Sequence, residues 1–307
     1  MASTWQTMSP EGRREKPTRR IRFEVPAGDG GVLRGDVRIP GDVPDSATAE
    51  VAGRLIVVCH GFKGFKDWGF FPYVSERLAR DTRSVVVSFN FSGSGIGPDL
   101  ETFTDLEAFG HNTFSKEVSD LEVVLNGAVE GRLGDAVFSP ARSMGLLGHS
   151  RGAAAVILSG ARRPEVGAVV TWAGIGSVYR YEDAFAEAME RTGRMEILNA
   201  RTGQRLPLYR DVLDDIREHR SALDMQSAAE RLGPRLLVVH GTADESVPVD
   251  EGRELHASSN GGRLKLIEGA SHTMDAAHPF SGTNPRLEEA IGVSEDHFRR
   301  WLGEERS

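Results

Sequence analysis

Six continuous apolar runs punctuate this chain: Leu55–Cys59, Ser84–Phe89, Met144–Leu147, Val166–Trp172, Leu236–Val239 and Leu264–Ile267. None alternates apolar with polar residues, so each reads as a strand covered on both faces. Between most of them lie stretches with helical spacing, such as Phe71–Arg80, Lys116–Val129 and Glu251–Ala257. Strand–helix alternation implies right-handed crossovers and a mostly parallel sheet of about eight strands with helices on its faces, an α/β fold. Ahead of the first run, Ile21–Val25 and Val32–Ile39 flank Gly28-Asp29-Gly30-Gly31 and predict an antiparallel hairpin. A last helix over about 286–302 places Leu287, Ile291, Phe298 and Trp301 on one stripe that can dock on the sheet.

The chain has 307 residues, enough for one large domain. The expected division is an unstructured arm over 1–20 and a single domain over 21–307. One gap breaks the rhythm, because about 60 residues separate Trp172 from Leu236, far more than a crossover needs. Residues 179–233 therefore read as an insert. Glu182–Arg191 and Arg210–His219 look helical, and Thr202-Gly203 is a hairpin turn within Glu196–Leu206. Tyr179, Tyr181, Phe185, Met189 and Met195 suit either a small core of the insert's own or a lid over an apolar pocket.

The chemistry centres on Gly148-His149-Ser150-Arg151-Gly152, which follows an apolar run and opens a helix-forming stretch. Such a strand–turn–helix is a nucleophile elbow. It predicts a positive φ at Ser150, and small neighbours to let the turn pack closely. A serine hydroxyl is a weak nucleophile until a base takes its proton, and a carboxylate must orient that base. Asp244 lies in the loop after the strand ending at Val239, and His272 in the loop after the next strand. Both loops fall at strand carboxyl ends, where open α/β sheets build their sites. Asp250 and Asp275 are alternatives for the acid, and His278 for the base. His60, His149 and His240 read as loop-orienting histidines.

With its Ser150, Asp244, His272 order, the chain beyond residue 20 resembles the α/β-hydrolase superfamily. Its spacing is similar to the dienelactone-hydrolase-like and cinnamoyl (feruloyl) esterase-like branch. The resemblance implies that His60-Gly61-Phe62 is the oxyanion loop, with the backbone N–H groups of Phe62 and Arg151 as donors. It makes Asn90–Gly95 a packing turn. The expected activity is serine carboxylesterase action on a small to medium ester. Peptidase, amidase or thioesterase activity on the same residues, and a weakly catalytic ligand receptor, are the alternatives. Candidate substrate-binding side chains are Tyr179, Tyr181, Phe185 and Trp172.

The side chain of Arg151 opposes the dipole of the helix it opens and needs compensation. Two readings stand open: an ion pair with a lid or loop carboxylate, or contact with a carboxylate on the substrate.

Other functions are disfavoured. A net charge of −8 argues against nucleic acid as a partner, and the one basic cluster, Arg13–Arg22, reads as part of a solvated arm. Gly93–Gly97 does not make a dinucleotide fingerprint, and no His/Cys/Asp cluster has metal-ligand spacing, so neither cofactor nor metal is expected. Cys59 is the only cysteine, which rules out an intrachain disulfide. With neither an apolar leader nor a membrane-length run, the expectation is a cytoplasmic protein with no membrane partner.

Overall fold

The structure is a computed structural model, and it describes residues 18–41, 53–181, 183–199 and 202–303. In chain order the elements are β1 (Arg19–Pro26), β2 (Val32–Ile39), β3 (Arg54–Cys59), α1 (Phe71–Thr82), β4 (Val85–Asn90), α2 (Leu106–Gly110) and α3 (Phe114–Glu130). A two-residue pair follows, β5 (Arg132–Leu133) and β6 (Ala136–Val137), then β7 (Ser143–His149), α4 (Gly152–Gly160) and β8 (Val166–Trp172). The insert supplies α5 (Asp183–Thr192), β9 (Arg194–Leu198), β10 (Arg205–Tyr209), α6 (Asp211–Glu218) and α7 (Met225–Leu232). The chain closes with β11 (Leu236–Gly241), α8 (Val249–Ser258), β12 (Arg263–Ile267) and α9 (Pro285–Leu302).

Eight strands form one sheet in the order β1-β2-β4-β3-β7-β8-β11-β12. Pairing is antiparallel from β1 to β4 and parallel from β4 to β12. The expected mostly parallel sheet is therefore present, with the hairpin of β1 and β2 as its antiparallel edge. That hairpin starts at Arg19, so the last two residues of the expected arm belong to the sheet. Thr18 of that arm is tied to Glu76, and 1–17 lies outside the described residues.

Two apolar cores sandwich the sheet. In β3, Leu55, Val57 and Cys59 join one and Ile56 and Val58 the other, which is why the run shows no alternation. One core lies under α3, α4, α7 and Leu255 of α8, and the other under α1 and α9. The apolar stripe of α9 docks as its spacing requires, with Leu287, Ile291 and Phe298 fully buried. Its N-terminus is set by Asn284, whose side chain accepts from the N–H groups of Arg286 and Leu287. Among the described residues no helix is long and apolar enough to cross a membrane.

The insert has the expected make-up, a helix, a hairpin and a second helix, with α7 as an addition. Helix α7 is amphipathic but short, and its buried face of Met225, Ala228, Ala229 and Leu232 is only four residues wide. Such a span carries little periodic signal.

Candidate active site

Ser150 sits between β7 and α4 with φ +56°, the left-handed conformation that an elbow demands. Two glycines make the turn possible. A methyl at Gly148 would stand 2.5 Å from the Gly152 carbonyl oxygen, and one at Gly152 would stand 2.5 Å from that of His60. The elbow also abuts the His60–Phe62 loop, because a methyl on Gly61 would lie 2.7 Å from Ser150 Cβ. The backbone carrying the expected donor Phe62 thus borders the Ser150 side chain, and Arg151 follows Ser150 directly.

Asp244 and His272 meet across two loops. His272 Nδ1 donates to the Asp244 carboxylate, at 2.8 Å from Oδ2 and 3.0 Å from Oδ1. That bond places the Nδ1 proton and leaves Nε2 free to accept one. The carboxylate also accepts from the N–H groups of Ser246 and Val247 at 2.8 and 2.9 Å. Burial opposes its ionisation, but hydrogen bonds from His240, His272 and Val247 outweigh burial and hold it well below the usual carboxylate range. Asp244 is therefore a fixed anion beside His272.

The elbow reaches His272 through its neighbour in sequence. His149 Nε2 donates to the His272 carbonyl at 2.9 Å, and the two rings lie 4.8 Å apart. Among the described residues Ser150 Oγ makes no direct hydrogen bond to His272. Such contacts commonly tighten only when substrate is bound.

His60, His149, His240 and His278 are engaged by other groups. His60 accepts from the Phe91 N–H and donates to the Gly61 carbonyl, and burial pushes it down to about 4. His149 is pushed down to about 3, by burial first and then by His272. His240 Nε2 donates to the Val247 carbonyl at 3.0 Å and lies 3.4 Å from Asp244 Oδ2. His278, the alternative base, instead accepts from the Gly69 N–H and stacks on Trp68. Asp275, the alternative acid, braces its own loop through Ser271 and Arg286, and Asp250 pairs with Arg253.

The Arg151 guanidinium is 5% exposed and its Nε donates to Glu117 Oε1 at 2.8 Å. An ion pair was one of the two readings, but its partner lies on helix α3 and not on a lid or loop. Spacing cannot reveal this, because a separation of 34 positions carries no local pattern. The guanidinium also lies 3.9 Å from the Phe114 ring centroid and 5.5 Å from that of Phe62.

Of the expected substrate-binding residues, Tyr181 and Phe185 stack at 5.4 Å and pack, partly buried, against the core. Tyr179 is 50% exposed, with Arg220 over its ring. Trp172 requires a correction. It is fully buried against Phe70, and its indole N–H is bonded to Ser294, so it is a core residue and not a pocket wall.

A profile described as "Alpha/beta hydrolase family" matches residues 56–284, three quarters of the chain. The chain belongs to that family. No curated protein matches the sequence of this hydrolase. Among solved structures it is similar to Est1E from Butyrivibrio proteoclasticus, with a TM-score of 0.60 at 16% identity over 94% of this chain and 100% of the other. The esterase domain of a Rhodothermus marinus protein gives 0.58 at 19% identity, over 94% and 100%. Dienelactone hydrolase from Anabaena variabilis gives 0.54 at 16%, over 93% and 99%. At these identities the likeness is one of fold. Among the described residues of the hydrolase no group of three His, Cys, Asp or Glu side chains could hold a metal ion.

Proposed function

We propose that this hydrolase is a serine carboxylesterase acting on small to medium carboxylic esters. The observation that carries the reading is the Asp244–His272 pair at 2.8 Å, set in the loops after β11 and β12 and joined through His149 to a serine at positive φ. Ser150 attacks the ester carbonyl as His272 Nε2 takes its proton, and Asp244 stabilises the imidazolium and holds its orientation. The N–H groups of Phe62 and Arg151 receive the oxyanion. His272 then returns the proton to the departing alcohol, and water releases the acyl group by the reverse path. The insert over 179–233 acts as a lid that shapes the acyl pocket through Tyr181 and Phe185.

Hydrolysis of p-nitrophenyl acetate and butyrate tests the reading. Ser150→Ala removes the attacking oxygen without adding volume and is expected to cost at least about a thousandfold, with an unchanged melting temperature. Retained turnover in the pure, folded variant would sink the mechanism. Matched anilide and thioester substrates separate esterase from amidase and thioesterase action, and a single burst of product without turnover would favour a ligand receptor.

A further inference from the structure

The compensation for Arg151 is incomplete in a way that points to a ligand. Arg151 and Glu117 are 5% and 4% exposed, and they are joined by one hydrogen bond, Nε to Oε1. Among the described residues, Arg151 Nη2 and Glu117 Oε2 are both buried and neither has a hydrogen-bond partner. Nε and Nη2 share one edge of a guanidinium, so the unpaired donor stands on the edge that faces this carboxylate. A buried donor or acceptor left unpaired costs about 1–3 kcal/mol, and two on adjoining side chains call for a common partner.

The location is that of a substrate contact. Arg151 follows Ser150, its guanidinium lies 5.5 Å from the ring of Phe62, and Tyr181 of the insert lies near enough to favour its charge. The pair therefore stands where elbow, oxyanion loop and insert converge. Asn112 contributes one donor, from Nδ2 to Glu117 Oε1 at 2.7 Å. Its Oδ1 is also buried without a hydrogen-bond partner, but it is turned to the Gly93 backbone, where a methyl would approach to 2.3 Å.

We propose that Arg151 Nη2 and Glu117 Oε2 together receive a hydroxyl group of the substrate, so that this enzyme prefers hydroxylated esters to their deoxy counterparts. The inference rests on the esterase reading above. A hydroxyl accepts from Nη2 and donates to Oε2 at once, matching both unpaired atoms. An anionic substrate group does not match, because Glu117 already neutralises the guanidinium and would repel a second carboxylate. A purely apolar group would leave both atoms unpaired, and sites of this kind discriminate strongly against an analogue that lacks the hydrogen-bonding group.

Two matched pairs place the hydroxyl on either side of the ester: methyl lactate against methyl propanoate, and glycerol monobutanoate against propyl butanoate. Monomethyl succinate is the anionic probe. The wild type is expected to favour at least one hydroxylated member by about tenfold in kcat/KM, the low end for a hydrogen bond to a charged group. Glu117→Gln and Arg151→Met should each bring that ratio to within about threefold of unity, and Glu117→Gln alone should raise relative activity on monomethyl succinate, because it unmasks the guanidinium. Each ratio is read within one preparation, so a loss of folded protein cancels. Calorimetric binding of the same probes to Ser150→Ala separates the two readings. Hydroxyl-selective binding without wild-type turnover would retain this site and overturn the esterase, whereas turnover with no hydroxyl preference would do the reverse. A preference that survives undiminished in both variants would also overturn the site.

Discussion

The elbow end of β7 and the insert between β8 and β11 are held in opposite ways. At the elbow, contacts are close and dry: Gly148 and Gly152 admit backbone atoms, and His60 and His149 are buried and hydrogen-bonded on both sides of the turn. The insert is anchored by Leu206, Leu208, Val212, Ile216 and the buried face of α7, and its outer part is held on polar ties. His111 pairs with Asp211 at 2.5 Å, the half-buried Tyr209 donates its hydroxyl proton to the exposed Glu107, and Arg217 meets Glu190, both exposed. Helix α5 buries only Met189, and β9 has no fully buried residue. Exposed pairs contribute little each, whereas displaced core contacts cost several kcal/mol. The elbow is therefore held in one geometry, whereas α5 and β9, the outer part of the insert, are held more loosely.

The largest test of that contrast is at the acid. Asp244→Asn should lower kcat by about a hundredfold or more, because an amide can no longer stabilise the imidazolium or select its tautomer. Asp275→Asn, which weakens only a loop brace to Arg286, should change kcat by no more than about threefold and so serves as the control. Steady-state kinetics of both variants decide, and the reverse ranking would move the acid to Asp275.

Acid stability sharpens the same comparison, since the strongly lowered histidines of the site lie beside the elbow. Their folded values, about 4 for His60 and about 3 for His149, lie below the unfolded value of about 6.5. In that window the unfolded chain binds more protons, so stability is complete above about pH 6.5 and falls as pH drops towards 4. Each histidine should contribute a slope of up to about 1.4 kcal/mol per pH unit. Urea midpoints measured from pH 7 to 4 test this, and His60→Gln should make the decline shallower by about one such slope. An unchanged slope would mean that His60 is protonated in the folded state.

Changes in the insert should act on choice more than on stability. Phe185→Ala removes the ring stacked on Tyr181 and should shift relative rates along a series of acyl chain lengths by about three- to tenfold, with the melting temperature nearly unchanged. Equal relative rates in wild type and variant would make the insert purely structural. The smallest effect belongs to the tie between insert and α2: His111→Gln should cost no more than about 1 kcal/mol in denaturant titrations, as exposed pairs do. A loss of several kcal/mol would show that this tie is part of the core.

Much of this could be read along the chain. The strand runs were legible because strands covered on both faces lose their alternation, and the elbow because its glycines are required by backbone contact. Trp172 was misread as a pocket residue for a related reason: it ends a buried strand beside the insert, and only its burial against Phe70 and its bond to Ser294 show which face it occupies. Helix α7 was missed because two of its four buried positions, Ala228 and Ala229, are alanines and carry little apolar signal.

The sequence by itself determined the α/β class, the order of the strands along the chain and the turn at Ser150, because each depends on a short local pattern. The tertiary structure alone decided the partners: Asp244 over Asp275 beside His272, and Glu117 opposite Arg151. Those pairings join residues far apart in the chain, and which side chains meet follows from how the crossovers and the insert pack, a property no local pattern encodes.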